Sequence, residues 1–102
     1  MPNQTSFKDL VFQKHPIGSS WAGGFDFKNG YRISVVAGPN MYCTPKLALP
    51  DPFEFTEYEV AVLDNTGAFI TNLFSESDED VLGWQTPKAI DDIMLQIEKL
   101  NT

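Results

Sequence analysis

The sequence is poor in the residues that most often carry chemistry. It has one cysteine, Cys43, and one histidine, His15, among 102 residues. A single cysteine excludes an internal disulfide and favours a reducing compartment. The histidine stands before a proline, and no motif around it indicates a general base. We therefore expect a protein without enzymatic activity and without a cofactor.

Long apolar runs are missing as well. No stretch of about 18 apolar residues occurs, so we expect no membrane span. The first ten residues, MPNQTSFKDL, lack a basic region followed by an apolar one, which argues against a secretory signal. Asp78, Glu79 and Asp80 have neither the spacing nor the glycine of a calcium loop, so no metal site is expected.

Positive charge is absent from a long part of the chain. Residues 47–87 contain no lysine or arginine, and the net charge of the whole chain is −7. The same residues hold nine acids: Asp51, Glu54, Glu57, Glu59, Asp64, Glu76, Asp78, Glu79 and Asp80. Binding nucleic acid through its phosphates needs clustered lysine and arginine, so this mode is not expected. The charge favours a partner protein with a basic surface.

A β-hairpin is predicted around Asn29-Gly30, because apolar and polar residues alternate on both sides of this turn. A two-residue loop would mix apolar with polar side chains on one face. A three-residue loop, 28–30, with Gly30 in the left-handed conformation, gives one apolar face instead. The expected pairs are Phe27 with Tyr31, Phe25 with Ile33, Gly23 with Val35, and Asp26 with Arg32.

The remaining segments before residue 80 give a coarser map. Residues 7–13 are expected to form a short first strand, and the proline-rich residues 38–52 an irregular connection. Residues 57–63 alternate cleanly, which predicts a strand with Tyr58, Val60 and Val62 on its buried face. A turn at 64–67 would lead into a second hairpin with 68–73. The acidic SESDED stretch that follows is expected to be exposed.

A helix is predicted at the C-terminus. Thr86 can cap it, and Pro87 suits its first position. Its apolar residues recur at helical spacing: Ile90, Ile93, Met94, Ile97 and Leu100. The predicted fold is one α+β domain spanning 1–102, a small antiparallel sheet of hairpins with this amphipathic helix packed on one face.

Three segments resemble a group of small bacteriophage proteins of uncharacterised function. They are NGYRISVVAGP (29–39), EYEVAVLD (57–64) and DVLGWQTPKAIDDIMLQIEKL (80–100), and together they cover about half of the chain. Arg32 stands where these proteins usually have glycine, and the proline-rich loop 40–55 is longer than theirs. The resemblance implies a phage origin and a location in the cytoplasm of the bacterial host.

The leading hypothesis is an interaction protein that inhibits or modulates a host or defence-system protein, in part by imitating the charge of nucleic acid. Acidic side chains would meet the basic partner, and exposed aromatic side chains would anchor it. The predicted contact residues are Glu57, Glu59, Glu76, Asp78, Glu79, Asp80, Tyr42 and Trp84. Whether an exposed strand edge pairs with a second copy is left open.

The alternative hypothesis is a protein that sequesters a nucleotide signal. Trp21, Tyr31, Tyr42 or Trp84 would stack on the base, while Lys28, Arg32 or Lys46 would hold a phosphate. A thermal shift with nucleotides would distinguish the two hypotheses, because only a ligand-binding protein is stabilised by them.

Overall fold

The structure is a computed structural model and describes residues 6–14, 20–39, 41–71 and 81–100. Within these residues the chain forms a five-stranded antiparallel sheet whose strands follow one another in sequence order. The elements are β1 (Val11–Lys14), β2 (Trp21–Asp26), β3 (Arg32–Ala37), β4 (Tyr58–Leu63), β5 (Leu82–Gln85) and α1 (Pro87–Glu98), with 3₁₀ turns at Phe7–Asp9 and Pro52–Glu54. The predicted α+β class is confirmed.

The β2–β3 hairpin has the predicted register. Phe25 pairs with Ile33 and Asp26 with Arg32, and a 2.8 Å ion pair joins the side chains of the latter two. The Phe27 N–H donates to the Tyr31 carbonyl at 2.8 Å. Gly30 has φ +95°, the left-handed backbone conformation that closes this loop.

The core lies between one face of the sheet and α1. The predicted inward residues of β4 and four of the five residues of the predicted helical stripe belong to one buried cluster: Tyr58, Val60, Val62, Ile90, Ile93, Met94 and Ile97. The fifth, Leu100, lies beyond the end of α1 and is only partly buried. The hydroxyl of Thr86 accepts the Ala89 N–H at 3.1 Å, which confirms the predicted cap. Among the described residues no helix is both long and apolar enough to cross a lipid bilayer.

The first strand begins later than predicted. Phe7–Asp9 form a 3₁₀ turn, in which the Asp9 carboxylate accepts the Ser6 N–H at 2.8 Å. The Asp91 carboxylate accepts the Phe7 N–H at 2.6 Å and so ties this turn to α1. The predicted strand, 7–13, is therefore wrong at its start, and the observed strand begins at Val11.

In the described part of the chain the predicted second hairpin is present as a turn, one bridge and a backbone hydrogen bond from the Ile70 N–H to the Val62 carbonyl at 2.8 Å. The Asp64 N–H donates to the Ala68 carbonyl at 2.9 Å, and Leu63 forms an isolated bridge with Phe69. The Thr71 hydroxyl accepts the Val62 N–H at 2.9 Å, so a side chain replaces the backbone acceptor that a strand would supply. β5 pairs with β4 at Tyr58 and Val60. Residues 72 and 73 lie outside the described residues.

Candidate partner-binding site

Two segments far apart in sequence meet at the surface and form a stacked pair of aromatic rings. Tyr42 lies in the irregular connection after β3, and Trp84 lies in β5. Their ring centroids are 5.3 Å apart with an interplanar angle of 32°. Tyr42 is 47% exposed and Trp84 is 51% exposed. We call these two residues the aromatic pair.

The backbone fixes the position of the aromatic pair. The Trp84 N–H donates to the Tyr42 carbonyl at 2.8 Å, so the two residues are joined behind their rings. A Cβ atom at Gly83 would lie 2.8 Å from the Tyr42 Cβ, which is too close for any residue other than glycine. Gly83 therefore lets β5 approach Tyr42 closely enough for the rings to stack.

Trp84 has an unusual backbone conformation. Its φ is +55°, and within the described residues it is the one residue other than glycine with a positive φ. The pairing of β4 with β5 is irregular between Tyr58 and Val60, as at a β-bulge. Bulges turn side chains towards new directions and are frequent beside functional sites. For a bulky residue the left-handed conformation costs roughly 1–2 kcal/mol, and half of the Trp84 ring remains exposed to solvent.

Two of the predicted acidic residues lie beside the aromatic pair and position it. Glu59 accepts the Tyr42 N–H through its Oε1 atom at 3.0 Å. Glu57 accepts the Thr44 hydroxyl through its Oε1 atom at 2.7 Å. Both glutamates are half-buried. Their carboxylates therefore hold the loop that carries Tyr42, a role that the alternation of β4 did not predict.

Lys46 also lies at this surface. Its Nζ atom is 5.5 Å from the centroid of the Tyr42 ring, within the range of a cation–π interaction. The Lys46 side chain is exposed to solvent, whereas the carboxylate of Glu59 lies at the backbone of Tyr42. The neighbourhood of the aromatic pair thus contains the rings of Tyr42 and Trp84, the carboxylates of Glu57 and Glu59, and the ammonium group of Lys46.

Cys43 is buried next to the aromatic pair, and its thiol is part of the loop's packing. The thiol accepts the Gly38 N–H at 3.3 Å and donates to the Gly38 carbonyl at 3.2 Å. Burial is the main cause that raises the pKa of the Cys43 thiol. A raised pKa favours the neutral thiol, which is not the setting of a nucleophilic thiolate.

The other predicted contact residues are the acids of the SESDED stretch. Glu76, Asp78, Glu79 and Asp80 lie outside the described residues. The four predicted contact residues that the structure does describe, Tyr42, Glu57, Glu59 and Trp84, lie in one neighbourhood. The sequence did not reveal the roles of Gly83 and Thr44. For Gly83 the available signal was its place beside an aromatic residue in LGWQ, because a glycine within a strand is typical of a close backbone approach.

The residues of the nucleotide alternative are spread over several parts of the molecule. Trp21 and Arg32 project to opposite faces of the sheet, because Arg32 pairs with Asp26 and side chains alternate along β2. The Trp21 indole N–H donates to the Leu49 carbonyl at 2.9 Å. Lys28 is exposed at the hairpin tip, and Tyr31 is packed against the core. Tyr42, Trp84 and Lys46 of this set lie together, at the aromatic pair.

A groove of about 390 Å³ lies on the face of the sheet opposite the core and contains one residue of that set, Arg32. Its two cationic side chains already have contacts. Arg32 pairs with Asp26 at 2.8 Å, and the Lys14 ammonium lies 4.5 Å from the centroid of the Trp21 ring. In the described part of the chain, no three histidine, cysteine or acidic side chains are placed to hold a metal ion.

Comparison with known proteins adds no assignment. No protein-family model, curated protein or solved structure matches this chain. Function is therefore inferred from the geometry and charge of the aromatic pair and its neighbours.

Proposed function

We propose that this chain is a non-enzymatic binding protein of phage origin that inhibits or modulates a host or bacterial defence-system protein. The observation that carries the proposal is the aromatic pair. Two exposed rings are held in a fixed arrangement by a backbone hydrogen bond, a close glycine contact and a left-handed Trp84. Tyrosine and tryptophan dominate the binding energy of many interfaces, and a rigid arrangement lowers the entropy lost on binding.

The charge distribution supports a basic surface on the partner, such as one that normally binds nucleic acid. Residues 47–87 carry nine acids and no base. Some of these acids have structural roles, since Asp51 accepts the Phe53 N–H at 2.8 Å and the Thr66 hydroxyl and N–H lower the pKa of Asp64. Acidic surface residues mainly raise the association rate, while the aromatic pair supplies the lasting contacts.

The proposal is tested by affinity capture from bacterial lysate with three immobilised proteins. These are the wild type, Trp84→Asn, and Phe69→Asn as the matched control. Phe69 is an aromatic residue that is 50% exposed and lies near Leu63, at the other end of β4 from the Glu59 that holds Tyr42. We expect the wild type and Phe69→Asn to retain the same proteins, and Trp84→Asn to lose them. Equal retention by all three proteins would reject the aromatic pair as the anchor.

The acidic residues are tested by kinetics once a captured partner has been purified. Glu76, Asp78, Glu79 and Asp80 are replaced together by Gln, Asn, Gln and Asn. We expect association to slow several-fold, because exposed charges act on encounter over roughly a 10 Å Debye length at 0.1 M salt. If the association rate is unchanged and binding is as strong in about 0.5 M salt as in about 0.1 M salt, the protein does not bind by imitating the charge of nucleic acid.

Nucleotide sequestration is the second candidate, favoured by one observation. Lys46 lies beside Tyr42, which would allow a base to stack while an ammonium group meets a phosphate. A ligand that binds the native state raises the melting temperature, so a thermal shift with cyclic or linear nucleotides would favour this candidate.

A further inference from the structure

The contact between Lys46 and Tyr42 indicates what kind of group the aromatic pair attracts. The Lys46 ammonium lies over the face of the Tyr42 ring, with 5.5 Å between Nζ and the ring centroid. Ring faces of tyrosine and tryptophan attract cations, and tryptophan does so most strongly. A cation of the chain itself therefore already lies at this surface.

The surroundings strengthen this preference for positive charge. Glu59 and Glu57 each use Oε1 for the internal hydrogen bonds to Tyr42 and Thr44. A carboxylate accepts hydrogen bonds through two oxygens, so this use leaves the charge of Glu59 in place at the backbone of Tyr42, and the charge of Glu57 in place at Thr44, two residues further along the same loop. Two carboxylates against one ammonium group give the neighbourhood a net negative charge, which disfavours a phosphate and favours a cation.

We propose that the aromatic pair binds an arginine side chain of the partner's basic surface, and that Lys46 occupies this position until the arginine displaces it. This inference rests on the proposed function and names the chemistry that the site recognises. Arginine fits better than lysine, because its planar guanidinium stacks on aromatic rings, is more weakly hydrated and pairs well with carboxylates. Lys46 thus acts as a competitor within the same molecule.

The inference makes an unusual prediction, because removal of a surface lysine next to the site should strengthen binding. A partner arginine must displace Lys46 from the Tyr42 ring and so break its cation–π contact. At an exposed position the loss of this contact lowers the affinity for the arginine by a factor of about two to five. Lys46→Gln abolishes this competition. Lys28→Gln is the matched control, since it makes the same change in net charge at the exposed tip of the β2–β3 hairpin.

The experiment follows the Trp84 indole N–H by NMR during titration with the synthetic peptide acetyl-Gly-Arg-Gly-Arg-Gly-amide. A peptide with citrulline in place of arginine has the same shape without the charge. We expect the arginine peptide to shift the Trp84 signal, and the citrulline peptide to leave it unchanged. Lys46→Gln should bind the arginine peptide about two- to five-fold more tightly than Lys28→Gln does.

Three outcomes would overturn the inference. They are equal affinities of Lys46→Gln and Lys28→Gln, an equal response to the arginine and citrulline peptides, and a Trp84 shift produced by a nucleotide but not by the arginine peptide. The proposed function is tested separately by partner capture with Trp84→Asn. If that variant loses its partner while Lys46→Gln behaves like Lys28→Gln, the binding function stands and the arginine inference fails.

Discussion

Two groups of aromatic rings in contact, among those in the described residues, differ in what surrounds them. The first group, which we call the aromatic cluster, is Phe7, Phe12, Phe53, Phe55 and Tyr58. Its ring centroids lie 4.9–6.1 Å apart, similar to the 5.3 Å of the aromatic pair. Tyr58 at the centre of the cluster is fully buried, whereas both rings of the aromatic pair are about half exposed.

The comparison shows that ring stacking alone does not tell a structural residue from a binding residue. Stacking adds about 0.5–1.5 kcal/mol beyond burial, and the area removed from water usually contributes more. Phe7, Phe55 and Tyr58 of the cluster are buried and Phe12 is partly buried, whereas Phe53 at its edge is 47% exposed, so it is the buried rings that stabilise the fold. The aromatic pair combines a left-handed Trp84 with rings that are about half exposed, so part of its apolar surface stays in contact with water.

The largest expected effect is the loss of the central ring of the cluster. Tyr58→Ala should lower the free energy of unfolding by about 3–5 kcal/mol, because it leaves a large cavity among packed rings. Denaturant unfolding followed by circular dichroism measures this loss. A loss below about 1 kcal/mol would mean that the cluster is not what stabilises the fold.

The helix that covers the core should come next. Ile93→Ala and Ile97→Ala should each cost about 2–4 kcal/mol, since both side chains are buried against the sheet. Gln96→Ala, an exposed position on the same helix, is the control and should change the unfolding free energy by no more than about 0.5 kcal/mol. Losses near zero at both isoleucines would show that α1 is not attached to the sheet.

The hairpin turn should give a smaller but measurable loss. Gly30→Val should destabilise by at least about 1 kcal/mol, because a β-branched residue is strained at a φ of +95°. Gly30→Asn should cost less, since asparagine tolerates the left-handed conformation better. Equal melting temperatures for the wild type and the valine variant would contradict the three-residue loop.

The phenol of Tyr58 should make stability depend on alkaline pH. Burial is the main cause that raises the pKa of Tyr58 from its usual value of 10.0 to about 12. The Tyr58 hydroxyl donates a hydrogen bond to the Pro52 carbonyl at 2.5 Å. The neutral phenol is favoured in the folded state, so this contribution is complete below pH 10 and is lost as the pH rises through about 12. Tyr58→Phe should lack this part of the pH dependence, as measured by denaturant unfolding at several pH values.

The effect on stability at the aromatic pair should be smaller than the loss of the central ring of the cluster. Trp84→Asn removes a stacking contact worth about 0.5–1.5 kcal/mol together with the buried half of the side chain, and it relieves a strain of about 1–2 kcal/mol, because asparagine tolerates the left-handed conformation. We therefore expect the free energy of unfolding to fall by no more than about 2 kcal/mol. A loss as large as that of Tyr58→Ala would place Trp84 with the structural aromatic residues.

The hairpin and the helix could be predicted from sequence because their signals are local. Asn29-Gly30 fixes a register through the residues that flank it, and Thr86-Pro87 marks a helix start that the structure reproduces. Each of these elements needs only neighbouring residues to define it. The buried faces of β4 and α1 followed from the same periodicities.

Tyr42 and Trp84 were predicted as contact residues, but their stacking against each other could not be predicted, because it depends on contacts between distant segments. Tyr42 lies in a proline-rich connection, and Trp84 lies in a four-residue strand whose pattern is interrupted by a bulge. The sequence predicted residues 68–73 as the neighbour of β4 but did not predict β5, which pairs with β4 at Tyr58 and Val60. The roles of Glu57 and Glu59 could not be predicted either, because their hydrogen-bond partners, Thr44 and Tyr42, belong to the loop before β4 and are distant in sequence.

Partner capture by Trp84→Asn, carried out on protein shown to be folded, tests whether the aromatic pair serves binding rather than folding. We predict that this variant has the circular dichroism spectrum of the wild type and loses the proteins that the wild type and Phe69→Asn both retain. Retention of those proteins by folded Trp84→Asn would contradict the assignment of the aromatic pair as the partner-binding site.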